Sequence, residues 1–276
     1  MEKGSLYLIA TPIGNLEDIT IRAINTLKQV DLIAAEDTRH SLKLLNHLDI
    51  SKPLISYHRH NEDIRTNELI KLLNEGKSVG LITDAGTPGI SDPGEEIVKE
   101  AIKNNINIIP IPGACAAINA LISSGLSTKE FIFYGFLPLN KKLREEKFND
   151  IQRQNKTIII YEAPHRIIST LEEIKRKIGN IEIVVAKEIT KIHEEFFRGK
   201  VEEVIKQLED AKGEYIIMFE INGKTDEEAE LEKLNNMTIE QQYEHYEALG
   251  MNKKEIIKKI AKNNNVPKDT IYKKFI

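Results

Sequence analysis

The sequence predicts an α/β protein with two α/β domains and a small helical segment after them. Residues 5–124 alternate short apolar strands with amphipathic helices. Because helical crossovers join parallel strands, this region predicts a parallel sheet with helices on its faces. From about residue 128 the strands contain more aromatic residues and the helices between them more charge, which indicates a second α/β domain. Beyond residue 236 only helical patterns remain.

Five strands alternate with helices in the first domain, for which we expect residues 1–126. The predicted strands are 5–10, 31–36, 53–57, 78–83 and 106–111. The predicted helices are 21–30, 39–48, 67–76 and 94–105. We expect the apolar start of the chain to be the first strand and not a signal peptide, because it meets Pro12 and Gly14 and contains no cleavage site.

The second domain, for which we expect residues 127–221, is predicted from the same two patterns. Its predicted strands are 131–137, 157–163, 182–189 and 214–221, and its predicted helices are 141–154 and 166–179. Residues 222–236 contain five acidic residues against two lysines and almost no large apolar side chains. We therefore interpret them as a solvated linker.

The C-terminal segment, residues 237–276, is predicted to form three short helices, at 238–250, 252–264 and 267–276. From Gly250 onward it contains eight lysines and two acids. The last two helices have the spacing of a helix-turn-helix, in which the second helix binds a nucleic-acid groove. A solvated helical tail with lysine-rich faces is an equally good interpretation, because helix-turn-helix patterns are loose.

Composition restricts the class of protein. The 276 residues are 41% hydrophobic and 30% charged, as in soluble globular proteins, and no apolar run approaches the roughly 20 residues that cross a membrane. The net charge of −4 gives no general affinity for nucleic acid, so RNA binding would need a local basic patch. The single cysteine, Cys115, excludes an internal disulfide and fits a reducing cytoplasm.

The loop after the fourth strand, within LITDAGTPGISDPG at 81–94, combines three glycines with two prolines. The glycines permit backbone angles closed to other residues, while the prolines stiffen the chain between them. This pattern predicts a small-molecule ledge at the carboxyl end of the parallel sheet, and the alternative is a tight turn without a ligand. Neither the dinucleotide fingerprint nor the phosphate-binding P-loop occurs in the sequence.

Polar side chains follow other strands of the first domain. Because parallel strands end at one edge of a sheet, these residues are expected to line a crevice beside the loop at 81–94. They are Glu36, Asp37, Arg39, His58, Arg59, His60, Asn61 and Glu62. Some should only cap helices, namely Asn61 and, before the first helix, Asp18 or Thr20. His58 and His60 form a conceivable metal pair, but a third ligand is missing from the sequence, so no metal is predicted.

Two segments of the second domain, YEAPHR at 161–166 and AKEITKIHEEFFRG at 186–199, follow apolar strands and mix acidic with basic residues. Lys187 and Glu188 are either a surface ion pair or part of a functional site that faces the polar crevice. Their position at the end of a buried strand leaves both interpretations open.

Seven segments, in order, carry a resemblance to a known family. They are TPIGNLEDIT, AEDTR, DAGTPGISDPG, IPGACAAINALISSGL, FYGFLP, YEAPHR and KEITKIHEEFFRG. Over nearly the whole chain they resemble the bacterial ribosomal RNA methyltransferases of the tetrapyrrole methylase superfamily. The resemblance implies two α/β domains of the tetrapyrrole methylase type, with a mixed sheet in the second, and a helix-turn-helix-like C-terminal domain.

The resemblance also implies a function. It indicates a cytoplasmic homodimer that methylates a cytidine 2′-hydroxyl in small-subunit (16S) ribosomal RNA, either as free RNA or within the 30S subunit. The implied methyl donor is S-adenosylmethionine, bound in the cleft between the two α/β domains. No membrane association is expected.

The superfamily loop that wraps the methionine part of this cofactor is usually Gly-Asp-Pro, and here Gly86, Thr87 and Pro88 match it. Threonine in place of the usual acid weakens any role with tetrapyrroles. The cofactor-binding residues implied by the resemblance are Pro12, Ala85, Gly86, Thr87, Pro88, Ile90, Ser91, Ala114, Cys115, Ala116, Tyr161, Glu162, Gly213 and Glu214.

Methyl transfer from a sulfonium is an in-line displacement that requires no metal, and a ribose hydroxyl must lose its proton to a nearby base. The candidate catalytic residues are Glu188, Lys187, Glu36 and Asp37. Among them Lys187, like Arg39, would pair with a phosphate or a developing alkoxide. The candidate substrate-binding residues are Arg39, His58, Arg59, Asn61 and Arg166.

Two other functions stay open at this level. A member of the same superfamily could methylate a small molecule such as a corrin or sirohaem precursor. Alternatively, the chain could be a non-catalytic RNA-binding protein with S-adenosylmethionine as its effector. The lysine-rich tail argues against the first alternative, since a tetrapyrrole enzyme has no use for it. Transfer of label from the cofactor to RNA distinguishes an RNA methyltransferase from the second alternative, which would transfer none.

Overall fold

A computed structural model describes residues 2–208, 212–221, 234, 237–264 and 266–275. The chain forms two compact units, each described by itself below. One unit comprises Met1–Gln152 and Lys156–Ile221, and the other comprises Arg153–Asn155 and Asn222–Ile276. The predicted acidic linker lies outside the described residues except for Leu234.

The first sheet is fully parallel, as the sequence predicts. Its strands are β1 (Ser5–Ile9), β2 (Leu32–Ala35), β3 (Leu54–Ser56), β4 (Val79–Ile82) and β5 (Asn107–Ile111). They lie in the order β3-β2-β4-β1-β5, and every neighbouring pair is parallel. The carboxyl ends of the strands therefore meet at one edge, where the polar loops begin.

Helices follow each strand of this sheet. A short 3₁₀ helix (Leu16–Asp18) precedes α1 (Ile21–Gln29), and the later helices are α2 (Thr38–His47), α3 (Glu62–Asn74), α4 (Glu95–Lys103) and α5 (Ala116–Ser124). Apolar side chains fill a core on each face of the sheet, one around Leu69 and Leu81 and the other around Leu27 and Ile33. Burial of these two layers provides the main stabilisation of the sheet.

One of the two predicted helix caps is confirmed and the other is wrong. The Thr20 hydroxyl accepts a hydrogen bond from the Ala23 amide at 3.1 Å, which caps α1. Asn61 occupies the cap position of α3, but its side chain makes no capping bond. Its Oδ1 accepts from the His58 amide at 2.8 Å and its Nδ2 donates to the Ser56 carbonyl at 3.2 Å. The carboxamide is thus used to hold the preceding turn.

The second sheet is mixed. Its strands are β6 (Phe131–Phe136), β7 (Thr157–Glu162), β8 (Glu182–Lys187), β9 (Glu195–Lys200) and β10 (Tyr215–Glu220). They lie in the order β6-β7-β10-β8-β9, with β6 and β7 parallel and the other pairs antiparallel. Strand β9 is missing from the sequence prediction, because EFFRGK is a mostly exposed edge strand with little apolar character.

Helices α6 (Lys141–Ile151), α7 (Ile167–Lys177) and α8 (Val201–Gln207) belong to the second sheet. The sequence analysis did not predict α8, which follows β9 directly. One apolar core joins these helices to the sheet, around Phe148, Leu171 and Val204. The other face of the sheet packs against α5, where Ala117 and Leu121 meet Ile159 and Met218. This second core joins the two sheets into one unit.

The described residues of the C-terminal unit include the three predicted helices: α9 (Ile239–Ala248), α10 (Lys253–Asn263) and α11 (Lys268–Tyr272). Capping boxes at Thr238 and Asn252 begin α9 and α10. Tyr246, Ile260 and Ile271 lie in a small apolar core within this unit. All eight lysines from Gly250 onward are exposed. No helix in the described part of the chain is long and apolar enough to cross a membrane.

Candidate active site

A cavity of about 370 Å³ lies between the two sheets, a volume within the usual range for small-molecule sites. One wall comes from the loop after β4 and the start of α5, and the other from the end of β7 and the start of β10. The lining residues are Ile13, Ala85, Gly86, Thr87, Ile90, Ser91, Asp92, Cys115, Ala116, Phe136, Tyr161, Glu162, Ala163, Pro164, Ile189, Glu214, Tyr215 and Ile216.

The loop wall is fixed by backbone bonds and glycine geometry. Gly86 pairs with Thr11, with N–H to carbonyl distances of 2.9 and 3.1 Å. Its φ of +82° favours glycine, and an added Cβ would lie 3.1 Å from Ile13 Cγ2. The Thr87 hydroxyl donates to the Ala114 carbonyl at 3.0 Å and ties the loop to the approach to α5. These contacts give the loop one conformation, with its edge facing the cavity.

The opposite wall is aromatic and is bonded to α5. The Tyr161 hydroxyl accepts a hydrogen bond from the Ala117 amide at 2.9 Å. The ring of Tyr161 makes edge contacts with Phe133 and Phe136, with centroids 4.9 and 5.7 Å apart. Burial, more than any nearby charge, raises the pKa of Tyr161, so its hydroxyl stays protonated at neutral pH.

Glu162 is a buried carboxylate whose partners belong to its own domain. It accepts hydrogen bonds from the Ala163 amide at 3.0 Å and the Thr170 hydroxyl at 2.6 Å, and it pairs with Arg166 Nε at 3.2 Å. Arg166 also donates to the Leu137 carbonyl at 3.0 Å. Arg166, which was predicted to bind substrate, is thus mostly buried and pairs with Glu162. A buried carboxylate requires such a partner to neutralise its charge.

Glu188 holds the turn before β10 and does not line the cavity. Its Oε1 accepts from the Glu214 amide and from Lys191 Nζ, both at 2.9 Å. A Cβ added to Gly213 would lie 2.5 Å from Glu188 Cδ. Burial acts to raise the pKa of Glu188, but the bonds from Lys191 and Glu214 together outweigh it and lower the pKa. The ion-pair partner is therefore Lys191, and not Lys187 as the sequence suggested.

Asp37 and Arg39 form an exposed pair at the start of α2. Asp37 Oδ1 accepts from the Arg39 amide at 2.8 Å and caps the helix, while Oδ2 pairs with the Arg39 guanidinium at 3.2 Å. These hydrogen bonds from Arg39 lower the pKa of Asp37. Neither side chain lines the cavity.

Three carboxylates, one after β2 and two in the loop after β4, gather beside the cavity. The Asp84 carboxylate accepts from the Asp37 amide at 3.1 Å, and Glu36 accepts from the Asp84 amide at 3.5 Å. Burial raises the pKa of Glu36, and the charge of Asp84 adds to this effect. Asp92, the third member, lines the cavity itself. Burial, followed by the charge of Glu36, raises the pKa of Asp92 to about 7.

Residues of the loop after β3 support this cluster. Arg59 donates a hydrogen bond to the Ser91 carbonyl, and its charge opposes the rise in the pKa values of Glu36 and Asp92.

The rings of His58 and His60, the two histidines considered as a metal pair, lie 6.0 Å apart. No group of three or more potential metal ligands occurs among the described residues.

Ten of the fourteen predicted cofactor residues line the cavity: Ala85, Gly86, Thr87, Ile90, Ser91, Cys115, Ala116, Tyr161, Glu162 and Glu214. The other four, Pro12, Pro88, Ala114 and Gly213, are not among the lining residues. The predicted catalytic residues Glu36, Asp37, Lys187 and Glu188 lie outside its lining, as do the predicted substrate residues Arg39, His58, Arg59, Asn61 and Arg166.

Sequence analysis missed eight lining residues: Ile13, Asp92, Phe136, Ala163, Pro164, Ile189, Tyr215 and Ile216. Most are apolar residues within or next to the segments named in the sequence analysis. Nothing in the sequence marks these residues individually as part of a cavity wall. Asp92 lies in the glycine-rich loop after β4, and a carboxylate within that loop was the available signal.

This arrangement, a small-molecule cavity between a parallel and a mixed sheet, defines a class of methylases. The sequence model of the tetrapyrrole (corrin/porphyrin) methylase family matches residues 5–205 of this chain. The crystal structure of diphthine synthase superposes with a TM-score of 0.64 over 79% of this chain and 90% of that chain, at 13% identity, and shows the shared fold alone.

Relatives with higher sequence identity show to which family within this class the chain belongs. Ribosomal RNA small subunit methyltransferase I of Halalkalibacterium halodurans is 50% identical over 273 residues, covering 98% of this chain and 94% of the relative. The Bacillus subtilis protein of the same name is 44% identical with the same coverage. The chain belongs to the ribosomal RNA small subunit methyltransferase I family, which confirms the resemblance seen in the sequence motifs.

Proposed function

We propose that this chain transfers a methyl group from S-adenosylmethionine to a cytidine 2′-hydroxyl in small-subunit ribosomal RNA. The relatives' name supports the reaction and the RNA, and the motif resemblance supports the ribose oxygen. The observation that carries the proposal is the cavity between the sheets, one wall of which is the loop at 85–91.

The lining residues fit S-adenosylmethionine, which supplies an electrophilic methyl group on a positively charged sulfur. The lining is largely apolar and includes three carboxylates, Asp92, Glu162 and Glu214. Among the described residues that form it there is no lysine, arginine or histidine. Such a site suits a cation with an apolar body and disfavours a phosphorylated nucleotide.

Each wall has a separate role in this proposal. The backbone of residues 85–91 and the small side chains of Cys115 and Ala116 leave room for the ligand on one side. On the other side, Phe136 and Tyr161 provide aromatic surface for a planar base. The walls are bonded to each other through Tyr161 and Ala117, so the reacting groups are held in one orientation.

RNA would be bound by exposed cations outside the cavity. Arg59 is exposed and bonded to Ser91, so its charge lies at the cavity rim and suits an RNA phosphate. The exposed lysines of the C-terminal unit are proposed as a second, electrostatic contact. From the resemblance we also propose a homodimer, and a ribosomal substrate implies the cytoplasm.

Label transfer tests the proposal. The purified protein is incubated with S-adenosylmethionine carrying a tritiated methyl group and with 16S RNA or 30S subunits from cells that lack the protein. We expect label in 2′-O-methylcytidine after digestion of the RNA. Label in a small molecule from a cell extract, with none in RNA, would instead indicate the corrin-type function. Cofactor binding without any transfer would indicate an effector-controlled RNA-binding protein.

A further inference from the structure

Of the three carboxylates that line the cavity, two are occupied by other contacts. Glu162 is paired with Arg166 and hydrogen-bonded to Thr170. Glu214 is exposed, and its Oε2 pairs with Lys191 Nζ at 2.9 Å. Asp92 is half-buried and forms no ion pair in the described part of the chain. It is thus the lining carboxylate best placed to accept a proton.

The backbone around Asp92 is fixed on both sides. Ser91 has a left-handed φ of +65° and accepts a hydrogen bond from Arg59. The Pro93 carbonyl accepts from the Gly89 amide at 3.1 Å, and the Gly94 amide donates to Glu62 Oε1 at 3.0 Å. A left-handed conformation at a non-glycine residue is costly and is kept where surrounding contacts enforce it. These contacts fix the backbone position of Asp92 in the cavity wall.

Charged groups that follow several strands change the pKa of Asp92. Glu36 after β2 and Asp84 after β4 repel its negative form, while Arg59 after β3 and a hydrogen bond from Thr83 favour that form. Tyr161 faces it across the cavity and remains neutral. With burial as the largest effect, the pKa of Asp92 is about 7, a value suited to a base that works at neutral pH.

We propose that Asp92 is the general base that removes the proton from the ribose 2′-hydroxyl of the RNA substrate. This inference rests on the proposed function and identifies the group that performs its proton transfer. As the O–H bond breaks, its proton moves to an Asp92 carboxylate oxygen, and the oxygen's electron pair forms the new bond to the methyl carbon. The bond from that carbon to sulfur breaks, and its electron pair stays on sulfur as a neutral thioether. Asp92 then returns the proton to water.

The earlier candidates for the base are less well placed. Glu188 is held by Lys191 and the Glu214 amide outside the cavity lining. Asp37 caps α2 and pairs with Arg39. Glu36 lies outside the cavity lining and acts, in this account, by raising the pKa of Asp92.

The test compares Asp92→Asn with wild type and with Asp63→Asn, an identical change at an exposed site on α3. Single-turnover methyl transfer to 30S subunits is measured from pH 5.5 to 9. We expect the wild-type rate to rise to a plateau with an inflection near pH 7. Asp92→Asn should be slower by at least about 100-fold and lack that inflection, because general bases contribute that much. Asp63→Asn should match wild type.

Two measurements do not depend on turnover. Calorimetry should show that Asp92→Asn still binds S-adenosylmethionine, so that its lower rate is assigned to proton transfer and not to an empty cavity. Difference infrared spectra should show a carboxyl group that titrates near pH 7 in wild type and is absent in Asp92→Asn. Asp84→Asn should move both this titration and the rate inflection to lower pH, because it removes a charge that repels ionised Asp92.

The outcomes separate this inference from the function on which it rests. If wild type transfers no methyl group to RNA, the proposed function fails. If wild type is active and Asp92→Asn has an equal rate with the same pH profile, or if no carboxyl group titrates near pH 7, the assignment of Asp92 is overturned.

Discussion

The carboxylate of Glu188 accepts a hydrogen bond from the backbone amide of Glu214 at 2.9 Å. Glu188 itself adopts a left-handed φ of +52°, and the glycine before Glu214 leaves the space that its carboxylate occupies. Since Glu214, Tyr215 and Ile216 line the cavity, this contact sets the shape of one wall. Glu188 is therefore a positioning residue in this account.

Glu188→Gln should weaken cofactor binding more than it slows the reaction. The amide keeps an acceptor for Glu214 but loses the charge that holds Lys191. We expect KM for S-adenosylmethionine to rise about tenfold with kcat reduced less than threefold. Glu182→Gln, at the exposed start of β8, is the matched control. A kcat more than tenfold lower at unchanged KM would make Glu188 the base.

The same variant has a pH signature in stability. Because folding lowers the pKa of Glu188, its carboxylate stabilises the fold above the usual value of 4.5, and this contribution is lost as the pH falls through the folded pKa. Urea unfolding at pH 7 should show Glu188→Gln to be about 1 kcal/mol less stable than wild type. The difference should shrink below pH 4.5. A difference that stays constant down to pH 3.5 would contradict the assignment.

Gly86→Val should abolish S-adenosylmethionine binding while the protein stays folded. Gly86 lines the cavity at a φ of +82°, where a β-branched residue is strained and its Cβ would press on Ile13. Gly125→Val is the matched control, since its φ is +84° and nothing lies within 4 Å of its added Cβ. Both should lose about 1–3 kcal/mol of stability, and only Gly86→Val should lose binding by calorimetry. Unchanged affinity in Gly86→Val would remove the loop from the site.

Much of the fold could be predicted because its strands are apolar and its helices amphipathic. All four residues of β4 are buried, and the sequence VGLI shows this directly. Strand β9 escaped prediction because an exposed edge strand carries few apolar residues. The glycines and prolines of the loop after β4 indicated a cavity wall, and this loop lines the cavity.

The chemistry of the site was less predictable, because it depends on contacts between distant segments. Asp92 acquires its raised pKa from burial, from Glu36, which follows another strand, and from Asp84, which lies eight residues earlier in the same loop. Glu188 finds its partner in Lys191, three residues away, while the adjacent Lys187 suggested the wrong pair. The first relationship joins segments that are far apart in the sequence, whereas the second is local and depends on the left-handed backbone of Glu188, whose φ is +52°.

The C-terminal lysines should contribute to RNA affinity through electrostatics. Lys254, Lys258 and Lys262 recur at four-residue spacing on α10 and are exposed, so replacing them with glutamine leaves the small core of that unit intact. We expect weaker binding to 30S subunits and a loss of roughly one unit of log-log salt slope per phosphate contact removed. Lys28→Gln, Lys43→Gln and Lys71→Gln on the α/β unit, combined in one variant, provide the charge-matched control. Equal affinity and slope in both triple variants would make the tail a solvated appendage.

Mass mapping of small-subunit ribosomal RNA tests the central claim most directly. RNA is compared from cells with the protein, from cells without it, and from cells that carry only Asp92→Asn. We predict one cytidine nucleotide that is heavier by one methyl group on its ribose in the first cells and unmodified in the other two. Identical ribosomal RNA in cells with and without the protein would contradict the account.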